Sequence, residues 1–427
     1  MTHSRRPFHY HDLLRLQHCS EPQLDPAGQT VAWVRRWAAA EQNSYHAQVM
    51  LTTLATGSSR ALTDGLGAVA QPHWSPDGPW LTFLAAPPEE LVVQRMIVAA
   101  SGGAPRPVAT CAEADVPPAW WPAEPSAQHM PTFAVSDCID PRFTQGVLVT
   151  QQPLDSGACA NVHGAALPEP NAAWGLRDDQ ILLAATHATQ QHVSVALLAD
   201  QLHPGDLYVV APAQTPQRVT TLNGALLREL LLASSLRLAY QCKERNYTGW
   251  VLPPPGYSAG QRYPIVLDCR GLPAMFQVEW QSYATHGYVV LHGRGQHGPL
   301  NRQEARALLD AASATHSFLD TTRLAILGGP HVVHEHGQQR HVHALIADCR
   351  HALLNPDDLN VAAARAPTLV LATSANYAGQ QLYTRLQQNG IRAELVQVPI
   401  TGHPLLPAIR PWHQVALLER SVRWLNT

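Results

Sequence analysis

Arg323-Leu324-Ala325-Ile326-Leu327-Gly328-Gly329-Pro330-His331-Val332-Val333 decides how the second half of this 427-residue chain is read. Leu324–Leu327 is a short apolar run that reads as a buried parallel strand, Gly328-Gly329 is a tight turn, and an amphipathic segment follows. Strand, sharp turn and helix in that order form the frame that lifts a nucleophilic side chain above a parallel sheet. Here Pro330 or His331 stands at the nucleophile position, with Gly329 before it. Neither is a serine.

Composition bounds what surrounds this stretch. The length suits two domains, and 45% hydrophobic residues supply two cores. Formal charge is −3, only 14% of residues are charged, and Lys243 is the sole lysine. No basic stripe points to nucleic acid and no acidic block suggests a tail. Met1–Leu16 carries Arg5 and Arg6 but no apolar core of a secretion signal, and no run is long and apolar enough to insert in a membrane. A cytoplasmic protein is expected. Seven cysteines are scattered without C-x-x-C pairs, which predicts reduced thiols and neither a disulfide framework nor a zinc ribbon. No cofactor is expected.

Upstream the chain repeats itself. The clearest copy is Trp74-Ser75-Pro76-Asp77-Gly78 followed by Trp80–Leu84; an earlier one is Asp25-Pro26-Ala27-Gly28 followed by Val31–Val34. Val49–Leu51 reads as a later strand of the earlier copy, and Leu62-Thr63-Asp64-Gly65 closes it. Pro118–Pro122 and Ala173–Asp179 are worn copies. In each unit proline fixes φ, a small turn residue or glycine completes the reversal, and an alternating strand follows. The tryptophans recur about every 40–55 residues, the length of a four-stranded propeller blade. Unrelated hairpins in a sandwich are the plainer alternative.

These residues carry a resemblance. Gln71–Leu84 and Asp25–Val34 are similar to the propeller blades of the prolyl oligopeptidase and acylaminoacyl-peptidase family of serine peptidases, which carry a Trp-Ser-Pro-Asp-Gly turn. From Asn223 onward, Thr248–Leu252, Pro253–Gly256, Tyr263–Asp268, Gly287–His292, Arg294-Gly295 and Gly298 follow the frame of the same family's hydrolase domain. The resemblance implies a β-propeller over residues 1–222 followed by an α/β-hydrolase domain over 223–427. Family propellers have seven blades, and roughly 210 residues fit only four or five. A shortened ring is expected.

The resemblance also shows what has changed. The family's oxyanion segment His-Gly-Gly-Pro is Arg270-Gly271-Leu272-Pro273 here, and a leucine there is expected to fill space that donors to the oxyanion need. The elbow serine is replaced by Pro330, and Val332-Val333 stand where glycines would let the helix start close to the strand. The strand Pro367–Ala372 runs into Thr373-Ser374-Ala375-Asn376-Tyr377 without the family's acid. Of the triad only His403 remains, after the strand Ala393–Val398, and a histidine with no nucleophile and no orienting acid is a vestige. Two late helices, Gln380–Gly390 with an Asn-Gly cap and Trp412–Leu425, complete the scaffold.

Two other motifs are weighed. Gly256-Tyr257-Ser258-Ala259-Gly260 spells G-x-S-x-G, but prolines precede it and a strand follows, so it reads as a turn between strands. His331, His334, His336, His341 and His343 cluster around Glu335 on what reads as one helix. His331, His334 and Glu335 could form a three-ligand metal patch, though with 23 histidines in the chain such clusters arise by composition; no metal is expected.

The reading is therefore a pseudoenzyme: a peptidase-like protein without catalysis that acts in protein binding or assembly. It is expected to pair with a second copy of itself or with an active paralogous subunit, and its cleft could hold a peptide uncut. The competing reading is an active serine hydrolase, peptidase or esterase, with relocated machinery, Ser258 or Ser374 acting with His403.

Overall fold

The structure is a computed structural model. It describes residues 5–86, 92–107, 176–177, 180–188, 193–211, 214–258, 260–339, 341–350, 361, 364–375, 377–403 and 405–427. The worn repeats at 118–122 and 173–179 lie outside these residues, apart from Leu176 and Arg177.

A short strand β1 (Arg6–Pro7) opens the chain. Three four-stranded antiparallel sheets follow. The first comprises β2 (Gln17–Leu24), β3 (Thr30–Ala39), β4 (Ser44–Thr53) and β5 (Ser59–Ala61). The second comprises β6 (Ala68–Trp74), β7 (Trp80–Ala86), β8 (Gln94–Ala99) and β9 (Arg106–Pro107). The third comprises β10 (Ile181–Ala188), β11 (Val193–Ala199), β12 (Asp206–Val210) and β13 (Gln217–Arg218).

The two clear repeats build the same turn. Gly28 (φ 67°) and Gly78 (φ 88°) sit in the left-handed region that glycine tolerates. Each donates to the residue three before it, Gly28 to the Asp25 carbonyl at 2.9 Å and Gly78 to the Ser75 carbonyl at 3.0 Å. The side chains of Asp25 and Ser75 then accept from the backbone N–H of Thr30 and Trp80. Alternation on β3 does the packing: Val31 and Trp33 face the third sheet, while Ala32 and Val34 face the second. Trp33 is fully buried, and its indole N–H donates to Thr52 at 2.8 Å.

Beyond the small sheets come α1 (Gly224–Glu229) and β14 (Leu230–Leu231), which pairs in parallel with β1. The eight-stranded sheet contains β15 (Leu236–Cys242), β16 (Arg245–Leu252), β17 (Tyr263–Asp268), β18 (Val289–Gly293), β19 (Leu319–Gly328), β20 (Val342–Asp348), β21 (Thr368–Thr373) and β22 (Ala393–Val398). Their spatial order is β15-β16-β18-β17-β19-β20-β21-β22. The β15/β16 and β16/β18 pairs are antiparallel, and all pairs from β18 to β22 are parallel.

A parallel sheet must be covered on both faces. Helices α2 (Val278–Thr285) and α6 (Pro411–Leu425) cover one, with Trp280, Tyr283, Leu417 and Trp424 in its core. Helices α3 (Arg302–Thr315), α4 (His331–His336) and α5 (Tyr377–Gln388) cover the other, through Leu308, Val332, Leu382 and Leu386. The two expected late helices are α5 and α6; Gly390 (φ 69°) terminates the first, and Pro411 starts the second. Among the described residues, no helix is long and apolar enough to cross a membrane.

The small sheets rest on the large one through specific contacts. The Tyr45 hydroxyl donates to Gln414 on α6 at 3.0 Å, and the Trp412 indole donates to the Ala40 carbonyl at 2.8 Å. Phe276 N–H reaches the Asp200 carbonyl beyond the third sheet at 2.8 Å.

Candidate active site

At the carboxyl edge of the parallel strands, β19 runs to Gly328, the chain turns through Gly329-Pro330, and α4 begins at His331. The strand and the turn are where the sequence placed them. Pro330 lies at φ −55°, ψ −25°, ordinary right-handed helical backbone. A nucleophile elbow is a strained turn that projects its side chain; a ring that fixes φ near −65° forbids a left-handed turn here and offers no hydroxyl. Gly328 has a reason to remain, because a Cβ there would lie 2.3 Å from Val332 Cγ1. Val332 and Val333 do not hold the helix off the strand: both are fully buried in the core beneath it.

The histidine run does not form one helix. Helix α4 ends at His336, His341 lies beyond it, and His343 belongs to β20, where its Nδ1 meets the Leu324 carbonyl at 2.8 Å. His334 is exposed, while His331 is half-buried over Gly329 with its pKa lowered by burial. Among the described residues, no three His, Cys, Asp or Glu side chains are grouped to hold a metal ion. His331, His334 and Glu335 share α4 but are not brought together as ligands: His334 is exposed while His331 and Glu335 are half-buried.

Arg270-Gly271-Leu272, at the end of β17, holds something the sequence did not announce. Arg270 turns back onto Asp268 at 2.7 Å, reaches Glu279 of α2 at 2.9 Å and approaches Asp348 at 3.5 Å. Arg350 binds Asp348 at 2.6 Å and Glu279 at 3.2 Å. The Trp280 indole also donates to Asp268, at 2.8 Å. Every charged side chain in this network is at most 9% exposed.

Since β17 and β20 flank β19, the network spans the strand that leads to Pro330, on the side covered by α2. Burial alone would lower the Arg270 pKa, but Asp268, Glu279 and Asp348 more than offset it and raise it. Its backbone N–H is also spent, on Asp268 at 2.9 Å. The guanidinium is thus committed to carboxylates within the protein.

Leu272 does not stand open at the edge. It is 4% exposed and packs in the core with Val266, Trp280 and Val290. Gly271 lets the chain pass: at φ 70°, a Cβ there would fall 2.0 Å from the Gly298 carbonyl oxygen. What fills the edge is Arg270. A signal was legible, because Asp-Cys-Arg occurs twice, at 268–270 and 348–350, at the ends of β17 and β20. The intervening Cys269 and Cys349 are buried, and burial pushes both thiols up, so neither is a thiolate nucleophile.

His403 follows β22 at the same edge and is 4% exposed. Its Nδ1 accepts the Leu405 backbone N–H at 3.1 Å. A backbone N–H only donates, so the neutral ring carries its proton on Nε2. Triad chemistry needs the reverse, Nδ1–H on the acid and Nε2 open to the nucleophile's proton.

Ser258 is exposed in the turn between β16 and β17, its N–H donating to the Tyr263 hydroxyl at 3.0 Å. That turn enters β17, whereas His403 follows the exit of the co-directional β22. The two therefore sit at opposite ends of the sheet, separated by the ~3.3 Å rise of each strand residue. Ser374 is exposed at the end of β21, its Oγ accepting Ile400 N–H at 3.4 Å. It shares an edge with His403.

This architecture is found among solved peptidases. Pyrococcus horikoshii acylaminoacyl peptidase superposes with a TM-score of 0.71 at 12% identity, covering 98% of this chain and 97% of that one. The chain has the acylaminoacyl-peptidase fold. The AtxE2 isopeptidase matches at a TM-score of 0.67 and 14% identity, covering 99% of this chain and 96% of its own. In sequence, the uncharacterized peptidase YuxL of Bacillus subtilis is 28% identical over 162 residues, which cover 33% of this chain and 24% of that protein. The match thus spans about a quarter of that relative's length. No protein-family model matches the sequence. Within this fold, the carboxyl edge of the parallel strands carries Pro330 and a buried, internally paired ion network.

Proposed function

We propose that this chain is a non-hydrolytic member of the prolyl oligopeptidase and acylaminoacyl-peptidase group, acting in protein binding or assembly. The observation that carries the reading is Pro330 at the elbow, in helical backbone and without a nucleophile. The Arg270 network and the inverted tautomer of His403 support it from two other elements. In this reading, residues 1–222 are a shortened propeller and 223–427 the hydrolase-like domain. The protein works in the cytoplasm and pairs with a second copy of itself or with an active paralogous subunit; its cleft holds peptide without cutting it.

A fluorophosphonate probe tests the loss of chemistry on the full chain. No labelling is expected. Labelling abolished by Ser374→Ala or Ser258→Ala would establish the alternative, a serine hydrolase with relocated residues; Ser374 is the stronger candidate because it lies at the His403 edge. Size-exclusion chromatography with light scattering tests assembly: a monodisperse monomer that retains no paralogous subunit from its own lysate counts against it.

A further inference from the structure

Where the first two small sheets meet, several buried polar atoms are left without a partner. Ser20 pairs with Val34 and His18 with Arg36 across β2 and β3, so Ser20 and Arg36 share the face of the first sheet that packs on the second. Each is 2% exposed. Ser20 Oγ, Arg36 Nε and Nη2, and Glu21 Oε1 have no hydrogen-bond partner. A buried donor or acceptor left unmade costs ~1–3 kcal/mol, more when charged, and four on neighbouring residues mark a place where something else completes them.

The backbone around them is shaped for this. Glu21 (φ 53°) and Gln71 (φ 52°) are left-handed, although each precedes a proline, which favours extended backbone. Both lie at irregularities in the first strands of their sheets, between Ser20 and Gln23 and between Ala70 and His73. Strained non-glycine residues of this kind cluster at ligand sites. The Gln71 N–H donates to Glu21 Oε2, which turns the carboxylate toward the second sheet with Oε1 open. Burial pushes the Glu21 carboxyl up to about 7, against the pull of that N–H and of Arg36. Glu21 and Gln71 are each only half-buried, so the junction lies near the surface of the small sheets.

We propose that this junction binds an amide group: the guanidinium of Arg36 and the Ser20 hydroxyl donate to its carbonyl oxygen, and Glu21 Oε1 accepts its N–H. An amide matches because it is neutral and offers one strong acceptor beside one donor, leaving Arg36 and Glu21 to balance each other. A carboxylate would face Glu21 with like charge. A peptide bond and a free primary amide share this chemistry. The site is built from residues of the small sheets alone, so its chemistry does not depend on whether the carboxyl edge of the large sheet is silent.

The test uses the full chain and ligand-detected NMR titration with three probes: N-acetyl-alanyl-alanine methylamide, acetamide and acetate. The expected result is saturable binding of the blocked peptide, weakened at least about tenfold in Arg36→Met, which loses a buried hydrogen bond from a charged group, and about threefold to tenfold in Ser20→Ala, which loses a neutral one. Ser20→Ala removes a single atom and keeps the test valid if Arg36→Met misfolds. Acetamide binding more tightly than the peptide, with the same dependence on Ser20, assigns the site to free amides. The proposal is overturned if acetate alone binds, if no probe binds, or if both variants bind like the parent chain.

Discussion

Arg270→Ala separates a structural lock from an incidental ion pair. The substitution removes one of two cations from a network with three carboxylates, so net charge within it goes from −1 to −2 around Asp268, Glu279 and Asp348. At an effective dielectric near 20, a charge pair ~4 Å apart interacts by about 4 kcal/mol. Desolvation of Arg270 offsets part of its own gain, but the carboxylates stay buried after it has gone. Removing one partner of such a pair therefore costs about 3–5 kcal/mol. The direct hydrogen bonds to Asp268 are lost as well.

Thermal and urea unfolding of the two proteins at pH 7.5 would read the loss. The variant should also regain stability as pH falls toward 5, since carboxylates without a cation take up protons in the fold more readily than when unfolded. Asp268→Asn added to Arg270→Ala should recover part of the loss, because the amide oxygen still accepts from the Trp280 indole. A change below about 1 kcal/mol for Arg270→Ala, the scale of an exposed ion pair, would refute the view that this network fixes the edge of the sheet.

His292, 1% exposed and stacked 3.8 Å from Trp280, has its pKa lowered by burial to about 3. The unfolded chain protonates near 6.5 while the fold resists, so stability should fall by about 1.4 kcal/mol per pH unit from 6.5 toward 3. His292→Phe should flatten that slope in melts at pH 7.5 and 5.0. Pro330→Ser should not acquire fluorophosphonate reactivity, because the Leu405 N–H keeps the His403 Nδ1 occupied; labelling would show that the imidazole is free to act as base. Gly271→Ala should cost more than about 2 kcal/mol in urea unfolding, since the added methyl meets a backbone carbonyl at 2.0 Å in left-handed backbone.

The resemblance to the acylaminoacyl peptidases was legible from Trp74–Gly78, Tyr263–Asp268 and the Gly328-Gly329 turn, because these are local patterns. Two other features were not legible, one because a side chain had a choice of direction and one because a strand partner was needed. Leu272 turns into the core, since an apolar side chain beside Trp280 and Val290 gains by leaving water. The histidines after Pro330 read as one helix, but Val342–Asp348 has a parallel partner in β19 and becomes strand.

The sequence by itself determined the small-sheet turns, the alternating and continuous apolar strands and the proline at the elbow, since backbone geometry and periodicity follow from residue type. Only the tertiary structure decided that Arg270 and Arg350, 80 positions apart in the numbering, close one charge network over β19, that His403 Nδ1 takes the Leu405 N–H, and that Ser20 Oγ, Glu21 Oε1 and two nitrogens of Arg36 are left without partners between sheets. Each depends on which strands become neighbours and how much water remains between them, and Coulomb energies and hydrogen bonds there are set by separation in space.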